Sequence, residues 1–264
     1  MGRLDRDARF AAPFPGTVLP KEEWTRTRVG LGRDSRPFDW DATFGRAARR
    51  VVDLGCGNGR YLIHSGLLRR ELDHLGIELV PPALRLGSLR AGQRGLTNVK
   101  FAWGDANEFI CERAVPASID EVHLYHPQPY YEESKLDRRQ LTPRTLLAIW
   151  RALRPDGVFV FQTDNPAYMS YARRCVSMLF AWGERFDPWP DAPEGRTLRE
   201  MNARAQGLTI FRSESRRLEI DEARAVELAG GMGEPSFDAN KPGFESRGPR
   251  RAPRGGRSKR HRPR

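Results

Sequence analysis

The stretch from Val51 to Gly59 constrains this chain more than any other. Val51-Val52-Asp53-Leu54 has strand character and runs directly into Gly55-Cys56-Gly57-Asn58-Gly59, after which a helical pattern begins. Three glycines at alternate positions let the backbone adopt dihedrals closed to other residues, and they leave no side chain to keep a ligand off the main chain. A strand, a glycine turn and a helix in that order belong to sheets in which parallel strands alternate with helices. The same loop also serves as a plain strand-to-helix turn with no ligand, so what surrounds it has to decide.

The alternation continues along the chain. Short β-branched runs at 49–54, 73–79, 98–103, 119–125 and 158–163 read as strands. Segments 59–71, 82–94, 106–113, 143–153 and 166–180 have helical spacing, as Leu146, Leu147, Trp150 and Leu153 show in the fourth. Pro143 suits the first turn of that helix, and Pro155-Asp156-Gly157 supplies the turn after it. The expected fold is therefore α/β and Rossmann-like, a mostly parallel central sheet with helices on both faces.

Charge enters through its location. The chain of 264 residues carries a net charge of +11, but segment 247–264 alone holds nine Lys or Arg and no acid. Removing those nine leaves about +2 for the remainder, so the body is close to neutral. That segment, rich in Gly and Pro, cannot bury enough apolar surface to offset its conformational entropy, and we expect 230–264 to be a linker followed by a disordered basic tail. Residues 1–46 scatter Phe10, Phe14, Trp24, Phe38, Trp40 and Phe44 among Pro, Gly and Arg, which suggests an irregular arm packing on a domain at 47–229. No apolar run approaches the ~18 residues of a membrane span, and no secretory signal is readable, so the cytoplasm is expected. Cys56, Cys111 and Cys175 are far apart and form no metal-binding pair. His123 and His126, read as one strand, point to opposite faces and hold no metal either.

The candidate site gathers at the expected strand ends. Glu78 closes the second strand, where a carboxylate can accept both hydroxyl protons of a ribose. Asp105 follows the third strand, placed either to meet the edge of an adenine or to cap the next helix. There is no Gly-Lys-Ser/Thr for a triphosphate, and the third glycine comes one residue too early for a dinucleotide loop, so a smaller nucleoside-like cofactor fits better. Past the fourth strand, Pro127 and Pro129 bracket Gln128 and hold it in a defined direction at the sheet edge. Tyr130, Tyr131, Tyr168 and Tyr171 are there either to stack on a base or to fill the core.

An acid, a Gly-x-Gly-x-Gly turn and a second acid at the next strand end resemble the class I S-adenosylmethionine-dependent methyltransferases. The order of motifs over about residues 50–212 resembles one family among them, the bacterial tRNA (guanine-N7)-methyltransferases. The resemblance implies cofactor binding by Asp53, Gly55, Gly57, Glu78 and Asp105, with S-adenosylmethionine as cofactor. It places Pro127-Gln128-Pro129-Tyr130 on the family's Pro-Asp-Pro-Trp, so that Gln128 takes the catalytic and cofactor-facing position. Glu132, Asp164, Thr197 and Glu200 become substrate-binding residues, and Lys135, Arg138 and Arg139 become contacts to RNA phosphates. The implied reaction is methylation of a tRNA guanine at N7, at position 46. This chain departs from the family where it has Gln128 for Asp, Tyr130 for Trp and Glu132 for Lys; glutamine keeps an acceptor oxygen but carries no charge and cannot act as a base. An S-adenosylmethionine-binding RNA module of weak or no activity, and a class I enzyme for another RNA or a small molecule, stay open. Nothing in the pattern decides between monomer and homodimer.

Overall fold

A computed structural model describes residues 14–31, 37–130 and 133–235. The basic segment 247–264, the end of the linker from 236 and the first 13 residues of the arm lie outside the described residues, as does Glu132.

Among the described residues, nine strands form one sheet: β1 (Arg28–Val29), β2 (Arg49–Leu54), β3 (Leu72–Glu78), β4 (Val99–Trp103), β5 (Ile119–Tyr125), β6 (Leu153–Thr163), β7 (Phe180–Ala181), β8 (Glu184–Arg185) and β9 (Phe211–Arg217). Their order is β1-β4-β3-β2-β5-β6-β9-β7, with β8 also on β9. From β1 to β6 every pairing is parallel; β9 runs antiparallel to β6, β7 and β8. This is the mostly parallel sheet the alternation predicts, with an antiparallel side that it does not.

Helices cover both faces, because adjacent strand residues point opposite ways. Val52, Leu54, Val122, Leu124, Phe159 and Phe161 pack beneath α5 (Pro143–Ala152), α6 (Pro166–Val176) and α8 (Glu222–Gly230). Val51, Val99, Phe101 and Val160 pack beneath α2 (Arg60–Leu68) and α3 (Pro81–Gly92). Phe14 joins this second face, while Phe38 and Trp40, at the start of α1 (Trp40–Phe44), join the first. Segment 106–113 holds one α turn, α4 (Ala106–Glu108), continued by a wider π turn over Phe109–Arg113. The helix expected to reach 180 stops at Val176, and Phe180 enters β7 instead.

Two boundaries differ for a local reason. β6 begins at Leu153, and its pairing jumps from Ile119↔Leu153 to Glu121↔Val158, so the Pro155-Asp156-Gly157 turn survives as a looped-out excursion with Asp156 at φ 61°. β5 ends at Tyr125, and His126 turns out of line at φ 48°. His126 is thus not part of the strand.

Each helix at the site has a local start signal. Thr142, Asn165 and Thr197 each accept the backbone N–H three residues on, capping α5, α6 and α7 (Leu198–Ala205), and Pro143 and Pro166 follow in their first turns. Gly59 starts α2 at φ 70°, and a Cβ there would meet the Phe101 ring at 2.5 Å. Gly57, at φ 55°, has no heavy atom within 4 Å of where its Cβ would stand. Gly59→Ala therefore combines strain with overpacking and should cost about 1–3 kcal/mol, clearly more than Gly57→Ala. Urea unfolding of both variants checks this; equal midpoints would refute the assignment of Gly59 to packing.

Candidate active site

β2 is the switch point of the sheet: its parallel neighbours β3 and β5 lie on opposite sides, which opens a crevice at the carboxyl ends of β2 and β5. A cavity of about 980 Å³ fills it. Asp53, Gly55, Cys56, Gly57 and Asn58 form one wall; His126, Pro127, Gln128 and Pro129 form another; Asp164, Thr197 and Arg199 close the third.

The glycine wall is held rigidly. Gly55 and Cys56 donate their N–H groups to Ile77 O at 2.9 and 3.0 Å. Glu78 at the end of β3 accepts from Gly57 N at 2.7 Å and from Val80 N at 2.7 Å, one to each oxygen. It therefore braces the loop from behind and is not among the residues lining the cavity. Asp105 is exposed and caps α4 through Oδ1, which accepts from Asn107 N at 2.7 Å and Glu108 N at 3.1 Å. It too lies off the cavity wall.

Asp53 is the unusual member. Its side chain is 2 % exposed, and Oδ1 has no hydrogen-bond partner within the structure. Burial, and then the Glu78 carboxylate nearby, push it well above the ordinary carboxylate range. Asp53 lines the cavity, and a buried carboxylate oxygen without a partner is a costly arrangement for a purely structural residue.

On the opposite wall two non-glycine residues with positive φ, His126 at 48° and Tyr130 at 40°, flank Pro127-Gln128-Pro129. Such backbone costs about 1–3 kcal/mol per residue and persists only where neighbours impose it. Arg139 is one of them. It is 1 % exposed, donates to Pro129 O at 2.6 Å and Tyr130 O at 3.1 Å, and reaches the carbonyl of Pro235 as well. Its expected role as a phosphate contact is corrected here: the guanidinium is buried against three carbonyls, those of Pro129, Tyr130 and Pro235. Lys135 and Arg138 sit on the short 3₁₀ turn over Glu133–Arg138, with Arg138 exposed.

Asp164 lines the cavity and is held from two sides, accepting from Arg199 Nη2 at 2.6 Å and lying 3.4 Å from His126 Nδ1. Thr197 lines it too while capping α7 through Glu200 N at 3.1 Å. Glu200 is the second correction. Its side chain is fully buried: Oε1 takes Arg212 Nη2 at 2.6 Å, and Oε2 takes Gln162 Nε2 at 3.1 Å and Arg196 N at 2.9 Å. It supports the wall without lining the cavity, because both of its oxygens are taken by these internal donors. Tyr168 and Tyr171 are core residues, their hydroxyls tied to Leu141 N and Gly233 O; Tyr131 lies outside the described residues.

Sequence reasoning missed Arg199, Gln162 and Trp189, and it weighed His126 only as a strand residue that holds no metal. Trp189 had a readable signal, since Pro188 and Pro190 bracket it as Pro127 and Pro129 bracket Gln128. No helix among the described residues is long and apolar enough to cross a membrane, and no cluster among them is fit to hold a metal ion.

The family described as "Putative methyltransferase" matches residues 47–192. The tRNA (guanine-N(7)-)-methyltransferase of Nitrosococcus oceani is 30% identical over 189 residues, covering 71% of this chain and 79% of that protein. The protein of the same name from Cupriavidus metallidurans is 29% identical over 196 residues, covering 74% and 68%. Among solved structures, the 16S rRNA methyltransferase KamB superposes with a TM-score of 0.53 at 12% identity, over 67% of this chain and 92% of that one. This likeness shows the fold, the Rossmann-like class I methyltransferase architecture.

Proposed function

Because the chain belongs to the tRNA (guanine-N7)-methyltransferase family, we propose that it methylates N7 of a guanine in tRNA, at position 46, with S-adenosylmethionine as donor. The observation that carries this reading is the convergence of Asp53, the open face of Gly57, Gln128 and Asp164 on one cavity at the switch point. Asp53 and the Gly55–Gly57 turn would hold the cofactor, with Glu78 holding the turn and Asp105 beside it. The buried, unpartnered Asp53 oxygen and the unfilled space before Gly57 fit a ligand bearing an amino group and lying flat on the main chain. When bound, the cofactor supplies an electrophilic methyl group on a sulfonium.

Guanine N7 has an in-plane lone pair and no proton, so the protein has to align the base and needs no group to deprotonate it. Alignment alone can contribute about 7–11 kcal/mol to such a transfer. Asp164 is an acceptor on the cavity wall suited to the N1–H and amino group of guanine, with Thr197 beside it. Gln128 offers an amide dipole where the family has a carboxylate, and so gives less stabilisation to the positive charge that grows on the purine. Lys135, Arg138 and the basic segment 247–264 would add phosphate contacts that weaken with salt. The cytoplasm, where tRNA is found, is the corresponding location.

The glutamine also favours a second reading, an S-adenosylmethionine-binding RNA module that has lost turnover. Purified protein incubated with labelled S-adenosylmethionine and tRNA lacking the modification should yield 7-methylguanosine on nucleoside analysis. Cofactor binding without product would overturn the enzyme reading and leave the module. Gln128→Asp should raise kcat about tenfold, roughly 1.4 kcal/mol of transition-state stabilisation; an unchanged kcat would remove position 128 from the chemistry.

A further inference from the structure

Behind the substrate wall lies a chain of buried polar groups whose hydrogen positions are fixed by elimination. Trp189 is almost wholly buried, and its indole N–H, which can only donate, lies 2.5 Å from Gln162 Oε1. That contact settles which way the Gln162 amide faces: oxygen toward Trp189, nitrogen away. Gln162 has no exposed surface, and its two Nε2 protons meet His126 Nε2 at 2.8 Å and Glu200 Oε2 at 3.1 Å. An imidazole nitrogen that accepts a hydrogen bond bears no proton. His126 Nε2 is therefore bare, its proton resides on Nδ1, and Nδ1 is the atom that faces Asp164 Oδ1.

We propose that Trp189 and Gln162 are positioning residues that lock His126 as the neutral Nδ1–H tautomer, so that its one N–H is spent on holding Asp164 at the cavity wall. The part this plays in guanine binding rests on the function proposed above; the tautomer itself does not.

The charged groups around His126 are consistent with the lock. Asp164 faces it from the β6–α6 turn, Arg199 and Glu200 from α7, and Arg212 of β9 neutralises Glu200 from behind. Burial outweighs the pull of the carboxylates and keeps His126 below the ordinary imidazole range. Protonation at Nε2 would set an N–H against the Gln162 amino group. The amide could turn to accept it only by turning its amino group on the Trp189 N–H, so one buried donor pair or the other would be left in conflict. His126 thus supplies a donor to Asp164 without a charge that would compete for the carboxylate.

The test uses the full chain with ¹⁵N-labelled histidine and long-range ¹H–¹⁵N correlation spectra, with His126→Asn to assign the ring. The wild type should show a protonated Nδ1 and a bare Nε2 at neutral pH. In Trp189→Phe the Gln162 amide is released, so the His126 ring should move toward the doubly protonated form and titrate at higher pH. A wild-type ring protonated on Nε2 overturns the proposal. So does a Trp189→Phe ring that titrates as in the wild type; Gln162→Leu, which removes the same donor from the other side, gives the same discrimination should the first variant not fold. With tRNA as substrate, kcat/KM of the variant should fall about tenfold between about pH 8 and about pH 6 while the wild type changes little over that range. Equal pH profiles overturn the positioning role. Absence of methyl transfer from every protein, alongside the expected tautomer, counts against the tRNA reading and upholds the lock.

Discussion

Arg212→Ala should cost about 3–5 kcal/mol of folding free energy, the loss expected when one partner of a buried ion pair is removed and the other stays. Glu200 is completely buried and Arg212 is 4 % exposed, with 2.6 Å between them. Without the guanidinium, Glu200 keeps only the Gln162 amide and the Arg196 N–H, too few donors for a charge shut away from water. In a protein of this size the change corresponds to a fall in melting temperature of roughly 10 °C. Arg212→Met with Glu200→Gln should recover most of the loss, because the pair of charges disappears together and an acceptor oxygen remains for the two donors. Urea unfolding of the single and double variants measures both; a single variant within 1 kcal/mol of wild type, by that same ~3–5 kcal/mol yardstick, would show that water reaches Glu200.

Asp53→Asn should separate stability from binding. In the absence of ligand, Asp53 is a buried carboxyl whose folded-state affinity for a proton exceeds that of the unfolded chain. The sign follows from linkage: above the ordinary carboxylate value of about 3.9 the unfolded chain gives up its proton first, so this group makes stability fall as pH rises toward its raised folded value. Asparagine keeps the shape and removes the titration, so the variant should melt no lower than wild type near neutral pH and lose that slope. Its affinity for S-adenosylmethionine should drop about tenfold to a hundredfold, the cost of replacing a charged acceptor by a neutral one at a buried donor. Calorimetric titration with the cofactor and melting curves across pH decide it. A variant that binds as tightly as wild type would mean that the orphaned oxygen of Asp53 does not face the ligand.

What could be read in the sequence follows from where the physics is local. The turn at 55–59 announced itself because alternate glycines after an apolar strand have few other uses, and β2, β5 and the inner half of β6 were legible because each carries a short apolar, largely buried run, Val51-Val52, Val122 with Leu124, and Val158-Phe159-Val160-Phe161. β9 was not. Its buried positions are Arg212, Ser213 and Ser215, spread over both faces, so the strand presents no apolar period. The same blindness placed Arg139 on the surface and Glu200 at the substrate. A charged side chain is read as exposed until its partner is known, and here the partners are carbonyls of Pro129, Tyr130 and Pro235 and a guanidinium twelve residues along the chain. Arg199, Gln162 and Trp189 escaped for a related reason: their significance lies in which neighbours they meet, and those neighbours are 27–38 residues distant.

The late antiparallel strand also sets an order of assembly. During synthesis the parallel sheet from β1 to β6 and the whole glycine wall exist once residue 163 has emerged, so that half of the crevice can form early. The other half cannot. Asp164 waits for Arg199, Glu200 waits for Arg212, and the loop around Gln128 waits for Pro235 to give Arg139 its third carbonyl. A nascent chain therefore has the glycine wall of the crevice before it has the wall that carries Asp164 and Thr197, and the residues that finish the second depend on the most recently made part of the described fold.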